Sequence, residues 1–162
     1  MNMELEKLYS KGCGEMSADK KQIYIVDDDE SVCRALKCLL MTFGFEVNTF
    51  LSAEEFFSAV PDSAQGSLIM DIHMKGLSGW DALKRITKSG FKRPVIIISA
   101  DKNGGLREQA IKFEAVGFLQ KPVNDQELID LINKTYYMKK MKENRNSFSC
   151  PNKENDLKSE VK

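Results

Sequence analysis

The sequence predicts an α/β domain in which strands and helices alternate around a parallel sheet. Three observations lead there. Short apolar runs recur in the middle of the chain: Ile23-Tyr24-Ile25-Val26, Leu68-Ile69-Met70 and Pro94-Val95-Ile96-Ile97-Ile98. Runs of this length, bounded by turn residues and lacking polar alternation, read as strands buried on both faces. Between them apolar residues recur at helical spacing, so strand and helix alternate five times. The runs also end in polar groups: Asp27-Asp28, Asp71, Ser99-Ala100 and, after Phe118-Leu119-Gln120, Lys121-Pro122. In open α/β sheets ligand chemistry collects just beyond the carboxyl ends of the strands. Three carboxylates, a hydroxyl and an ammonium are therefore expected along one edge.

Each element follows in order. After the first strand, a helix is predicted from about Ser31 to Phe43, with Val32, Ala35, Leu36, Leu39, Leu40 and Phe43 as its buried stripe. Gly44 stops it. Glu46 to Phe50 is the second strand, and Ser52-Ala53-Glu54-Glu55 is a capping box opening the second helix. The third strand ends in Asp71. Ser78 caps the third helix, which ends near Gly90, and Trp80 at its start reads as a packing residue. Asn103-Gly104-Gly105 loosens the loop before the fourth helix, whose stripe includes Leu106, Ala110 and Phe113. Asn124-Asp125-Gln126-Glu127 opens the fifth helix. Its acidic start and its end at Lys139, Lys140 and Lys142 both suit the helix dipole. Tyr136, Tyr137 and Met138 are expected to form its buried or half-buried stripe.

Composition narrows the function. The 162 residues suffice for one domain plus tails, and at 42% hydrophobic content a core can form. Lys+Arg and Asp+Glu both total 24, so no bulk electrostatic attraction to nucleic acid or membrane is expected. No apolar stretch reaches bilayer length, and MNMELEKLYSKGCG lacks the apolar block of a secretory signal. Cys13, Cys33, Cys38 and Cys150 match no zinc spacing and read as reduced thiols of a cytoplasmic protein. The organisation is a polar leader over residues 1–20, a domain over 21–141 and a disordered polar tail over 142–162. That tail is too short and polar for a DNA-binding domain, so output is expected through protein contact.

The edge residues suit a hard divalent cation beside a phosphoryl group. Mg²⁺ takes oxygen ligands, commonly one or two carboxylates plus a phosphate oxygen, and Asp27, Asp28 and Asp71 can supply such a shell. A carboxylate can also act as a nucleophile, giving an aspartyl phosphate. Lys121 would hold the phosphoryl group as a point charge, and the Ser99 hydroxyl could donate to another oxygen. A solvated acidic turn capping the first helix explains Asp29 and Ser31. It does not explain the Asp, Ser and Lys at three further strand ends.

With these motifs in place, residues 21–141 resemble the receiver domain of bacterial two-component response regulators, the CheY-like fold. IYIVDDDE, LIMDIHMKGLSGWDAL, VIIISA and GFLQKP match in order. Among such domains the strand motifs are most similar to receivers of the nitrogen-fixation type of transcription regulator. The resemblance implies a doubly wound (βα)5 sheet of strand order 2-1-3-4-5. It implies Asp71 as phosphoacceptor, Mg²⁺ on Asp27, Asp28, Asp71 and the backbone carbonyl of His73, and Ser99 and Lys121 on the phosphoryl group. It also implies a cis peptide before Pro122, and Ser99 and Phe118 as the switch pair. The donor would be a sensor histidine kinase or a histidine phosphotransfer protein. The face made by the fourth helix, the fifth strand and the fifth helix would engage a downstream protein target or pair as a phosphorylation-dependent homodimer. The domain would catalyse only its own phosphorylation and dephosphorylation. His73, the single histidine, and Asp101 would flank the opening and tune the dephosphorylation rate, the plainer alternative for each being an exposed loop side chain.

Two departures stand out. Lys75 follows Met74 where relatives usually carry proline, which should loosen the loop, and the switch aromatic is Phe118, not tyrosine. Two rival readings remain. Asp27-Asp28-Asp29-Glu30-Ser31 also fits the D-x-D-x-[ST] pattern of haloacid-dehalogenase-type phosphohydrolases, with Asp27 as nucleophile and Asp29 as acid/base. That reading leaves Asp71 and Lys121-Pro122 unexplained. The other is a receiver-like scaffold without phosphorylation, weakened because every acceptor-site residue is present.

Overall fold

The computed structural model describes residues 21–90 and 93–146, with the side chains from 142 onward left undescribed. The leader over 1–20, the segment 147–162, Cys13 and Cys150 lie outside the described residues. Five strands, β1 (Gln22–Val26), β2 (Glu46–Phe50), β3 (Ser67–Asp71), β4 (Val95–Ser99) and β5 (Gly117–Gln120), form one sheet. All pairings are parallel and the order is β2-β1-β3-β4-β5, the order the sequence reading expects. The helices are α1 (Glu30–Thr42), α2 (Ala53–Ala59), α3 (Gly79–Lys88), α4 (Gly105–Lys112) and α5 (Asp125–Asn146).

Alternation along each strand divides the core into two layers. Tyr24, Val26, Leu68, Met70 and Ile97 face Phe56 of α2, Leu83 of α3 and Ala110 of α4. Ile23, Ile25, Ile69, Ile96 and Ile98 face Leu36 and Leu40 of α1 and Leu128 and Ile132 of α5. β3 and β4 are buried at every position, as expected of central strands covered on both faces. At about 1.5–3 kcal/mol for each fully buried aliphatic side chain, these two layers are the main favourable term holding the sheet.

The caps come from the residues the sequence nominates. The Asp29 side chain accepts from the Ser31 and Val32 amides, and Ser52 Oγ accepts the Glu55 N–H at 3.1 Å. Ser78 Oγ accepts the Asp81 N–H, and Asn124 Oδ1 accepts the Glu127 N–H at 3.0 Å. Gly44 has φ +81, the left-handed conformation that ends α1.

Two helix stripes differ from expectation. In α1 the buried residues are Cys33, Leu36 and Leu40, with Ala35 exposed and Phe43 53% exposed. The contact stripe is narrower than the apolar pattern, and Phe43 sits in the cap, past the last turn that meets the sheet. In α5 Tyr136 is half-buried, whereas Tyr137 and Met138 are 67% and 50% exposed. The stripe follows Leu128, Ile132 and Thr135 at helical spacing, and 137 and 138 fall off it. Helix α5 also runs on to Asn146, past the boundary expected at 141, through a stretch rich in good helix formers.

Candidate functional site

Four segments meet at the carboxyl edge of the sheet. Asp27 follows β1 and is fully buried, Asp71 is the last residue of β3 and is 6% exposed, and Ser99 ends β4 and is fully buried. Lys121 follows β5, and the Lys121–Pro122 peptide is cis. The strand ends place these groups together because parallel strands in register carry all their carboxyl termini to one side.

Lys121 Nζ donates to Asp27 Oδ2 at 2.6 Å and to Asp71 Oδ2 at 2.8 Å. The other oxygens are held by the backbone: Asp27 Oδ1 accepts the Asp29 N–H at 2.9 Å and Asp71 Oδ1 accepts the His73 N–H at 3.1 Å. Burial pushes the Asp27 carboxyl above its ordinary range, and the hydrogen bonds from Lys121 and Asp29 only partly offset that. Burial also works against the charged Lys121, but hydrogen bonds and charge from Asp27 and Asp71 outweigh it and hold the ammonium above its usual value. Desolvation prevails at Asp27 because it is wholly buried. Pairing prevails at Lys121 because it has two partners and keeps some exposure.

Asp28, exposed at the rim, completes the cluster. One carboxylate oxygen from each of Asp27, Asp28 and Asp71 lies within 4.8 Å of the others. Three carboxylates against one ammonium leave the edge short of positive charge. An all-oxygen donor set of this kind fits a hard divalent cation such as Mg²⁺. The Ser99 Oγ accepts the Asp101 N–H at 3.1 Å, which leaves its own O–H free to donate. His73 and Asp101 are 61% and 42% exposed, with Nε2 and Oδ2 3.5 Å apart. Phe118 is half-buried against the layer that includes α4, and its carbonyl accepts from Arg107 at 3.4 Å. Asp29, which the phosphohydrolase pattern would make an acid/base, is instead the cap of α1.

The sequence reading missed what holds the loop after β3. The Leu77 N–H donates to Glu54 Oε1 at 2.8 Å, across from the start of α2. The Lys75 N–H donates to Asp28 Oδ2 at 3.2 Å. The Gly79 N–H donates to the Ile72 carbonyl at 3.0 Å, and a Cβ at Gly79 would stand 2.4 Å from the Asp71 carbonyl oxygen. Only glycine lets α3 approach the end of β3 this closely. The capping box did mark Glu54 as an acid in the first turn of α2. Its actual partner lies in a distant loop, which local pattern does not reveal.

Comparison with known proteins agrees with the geometry. Residues 23–133 match the family model of the response regulator receiver domain. The response regulator protein TodT of Pseudomonas putida is 38% identical over 121 residues, covering 75% of this chain and 53% of that relative. The transcriptional regulatory protein FixJ of Bradyrhizobium diazoefficiens is 35% identical over 113 residues, covering 70% and 55%. A crystal structure of a response regulator receiver domain protein from Clostridium thermocellum superposes with a TM-score of 0.68 at 32% identity, covering 75% of this chain and 98% of that one. The chain spans about half the length of the curated relatives it matches. No helix among the described residues is long and apolar enough to cross a membrane. The matched segment includes all five strands except Gln22 at the start of β1, together with the whole acidic edge, and the chain belongs to the receiver-domain family of two-component response regulators.

Proposed function

We propose that this chain is a phosphoacceptor of a two-component phosphorelay acting in the cytoplasm, with Asp71 as the acceptor. The observation that carries the reading is Lys121 bridging Asp27 and Asp71 beside the buried Ser99 hydroxyl. A carboxylate oxygen of Asp71 attacks the phosphorus of a phosphohistidine on a kinase or phosphotransfer partner. The P–N bond breaks as the new P–O bond forms, and the imidazole leaves with a proton. Asp27, Asp28, Asp71 and the His73 carbonyl would hold Mg²⁺, which when bound offsets charge on the phosphoryl oxygens. Lys121, already on Asp71, neutralises a second oxygen, and the Ser99 O–H donates to a third. Water later cleaves the acyl phosphate, releasing phosphate and restoring the carboxylate.

The output follows from the same contacts. Ser99 moves toward the phosphoryl group, Phe118 turns into the vacated space, and the surface of α4, β5 and α5 changes shape for a protein target or a second copy. The His73–Asp101 pair spans the path of the attacking water and sets its access. The test is intact mass after incubation with Mg²⁺ and phosphoramidate, comparing wild type with Asp71→Ala. One added phosphoryl group, absent in the variant and absent with chelator, is expected. An adduct that survives Asp71→Ala would overturn the assignment, and labelling at Asp27 would revive the phosphohydrolase.

A further inference from the structure

Lys75, which follows Met74, has something a proline at that position would lack, a main-chain N–H. That N–H donates to Asp28 Oδ2 at 3.2 Å. Asp28 is the exposed member of the carboxylate cluster, whereas Asp27 and Asp71 are buried and already fixed by Lys121 and by backbone amides. An exposed aspartate is free to swing to other rotamers and pays entropy to stay in one. The donor, by contrast, is a main-chain group in a loop that has two further ties. Two residues beyond Lys75, the Leu77 N–H is held by Glu54 at 2.8 Å, and the Gly79 N–H is held by the Ile72 carbonyl at 3.0 Å. Within this contact the loop is the anchored partner and the Asp28 carboxylate the group being placed.

We infer that Lys75 is a positioning residue for divalent-cation binding, acting through its backbone N–H to hold Asp28 in the cluster. The inference rests on the cation-site reading proposed above. The Lys75 side chain is exposed and has no part in it. A main-chain donor that fixes one carboxylate oxygen leaves the other to the ion, as hydrogen-bond partners behind the ligands do at protein metal sites.

The test separates the N–H from the side chain. Mg²⁺ affinity is measured by titration calorimetry, without phosphodonor, on wild type, Lys75→Ala and Lys75→Pro. Lys75→Ala keeps the N–H and removes the charge, so it is the reference for Lys75→Pro. A hydrogen bond of ordinary net strength corresponds to about five- to tenfold weaker binding in Lys75→Pro than in Lys75→Ala. In an Asp28→Asn background the same comparison is expected to show less than a twofold difference, because the group being placed has lost its charge. Equal affinity of Lys75→Pro and Lys75→Ala overturns the inference alone. Failure of the wild type to take up Mg²⁺ overturns it together with the cation-site reading. Should Lys75→Pro fail to fold by circular dichroism, the wild-type Lys75 amide resonance is followed instead. It is expected to titrate with Mg²⁺ on the same curve as the Asp28 amide and to shift upfield in Asp28→Ala. A resonance indifferent to both overturns the inference.

Discussion

Replacing Lys121 by methionine removes the cation from a buried pair of carboxylates while keeping a chain of similar length. Asp27 and Asp71 would then retain only the Asp29 and His73 amides as donors. Breaking a buried ion pair from one side costs about 3–5 kcal/mol. Lys121 keeps 18% of its side chain exposed and the rim at Asp28 is open to water, so a loss of about 2–4 kcal/mol is expected at pH 7.5. A ceiling exists because a carboxylate can take up a proton. Protonating an aspartate of ordinary pKa at pH 7.5 costs about 5 kcal/mol, and Asp27 is already easier to protonate than that. The sign of the pH dependence follows. A carboxyl whose folded pKa is raised destabilises the fold above that pKa, and the penalty fades as pH falls toward the unfolded value. The loss in Lys121→Met should therefore shrink from pH 7.5 to pH 5. In the wild type the raised Lys121 pKa stabilises below the unfolded lysine value, and that contribution is lost as pH rises through the folded one. Urea denaturation followed by the emission of Trp80, the single tryptophan, measures all of this. Adding Asp27→Asn to Lys121→Met should recover most of the loss, as should millimolar Mg²⁺. A loss below about 1 kcal/mol that is the same at both pH values would refute the reasoning, since the pair would then not be holding the edge.

Three further outcomes follow. Gly79→Ala puts a methyl 2.4 Å from the Asp71 carbonyl oxygen and 2.7 Å from the Ile72 Cα, so backbone must move; a cost of about 1–3 kcal/mol in thermal denaturation and slower phosphoryl uptake are expected. Glu54→Ala frees the Leu77 amide, whose hydrogen exchange should quicken at least tenfold while amides of β3 stay protected. Iodoacetamide at pH 7.5 should label Cys38, which is exposed, and spare Cys33, whose thiol burial pushes up to about 11; peptide mass mapping reads this, and early labelling of Cys33 would contradict its burial.

The strands were legible because central parallel strands need apolar side chains on both faces, and that demand leaves an unbroken run in the sequence. Helix faces were less so. In α1 the apolar pattern admits Ala35 and Phe43, yet Cys33 takes the buried place. A small, weakly polar thiol fits where the helix crosses close to β1, with Sγ 3.4 Å from the Asp27 carbonyl oxygen. In α5 the run Tyr136-Tyr137-Met138 is apolar by composition, but three consecutive residues span most of a helical turn and cannot all face the sheet. Tyr136 turns inward enough for its hydroxyl to donate to the Gln22 carbonyl at 2.7 Å, while Lys21 lies over the rings of Tyr136 and Tyr137.

The candidate site divides along the same physical line. Asp27, Asp71, Ser99 and Lys121 each close a strand, and a strand end is a position that sequence pattern marks and topology brings together without help. The loop between β3 and α3 has no such anchor in its own residues. It is tied to Glu54, 23 residues before Leu77, and it reaches Asp28, 47 residues before Lys75. From sequence, Lys75 could only be scored as a missing proline, that is, as lost backbone rigidity. In the folded chain Lys75 supplies a donor that a proline would lack, and that N–H meets Asp28 Oδ2 at 3.2 Å. A proline ring would stiffen the loop without touching the carboxylate cluster, whereas the Lys75 N–H ties the two together. A loop held in this way must therefore feel whatever binds the carboxylate cluster, and the cluster must feel the loop.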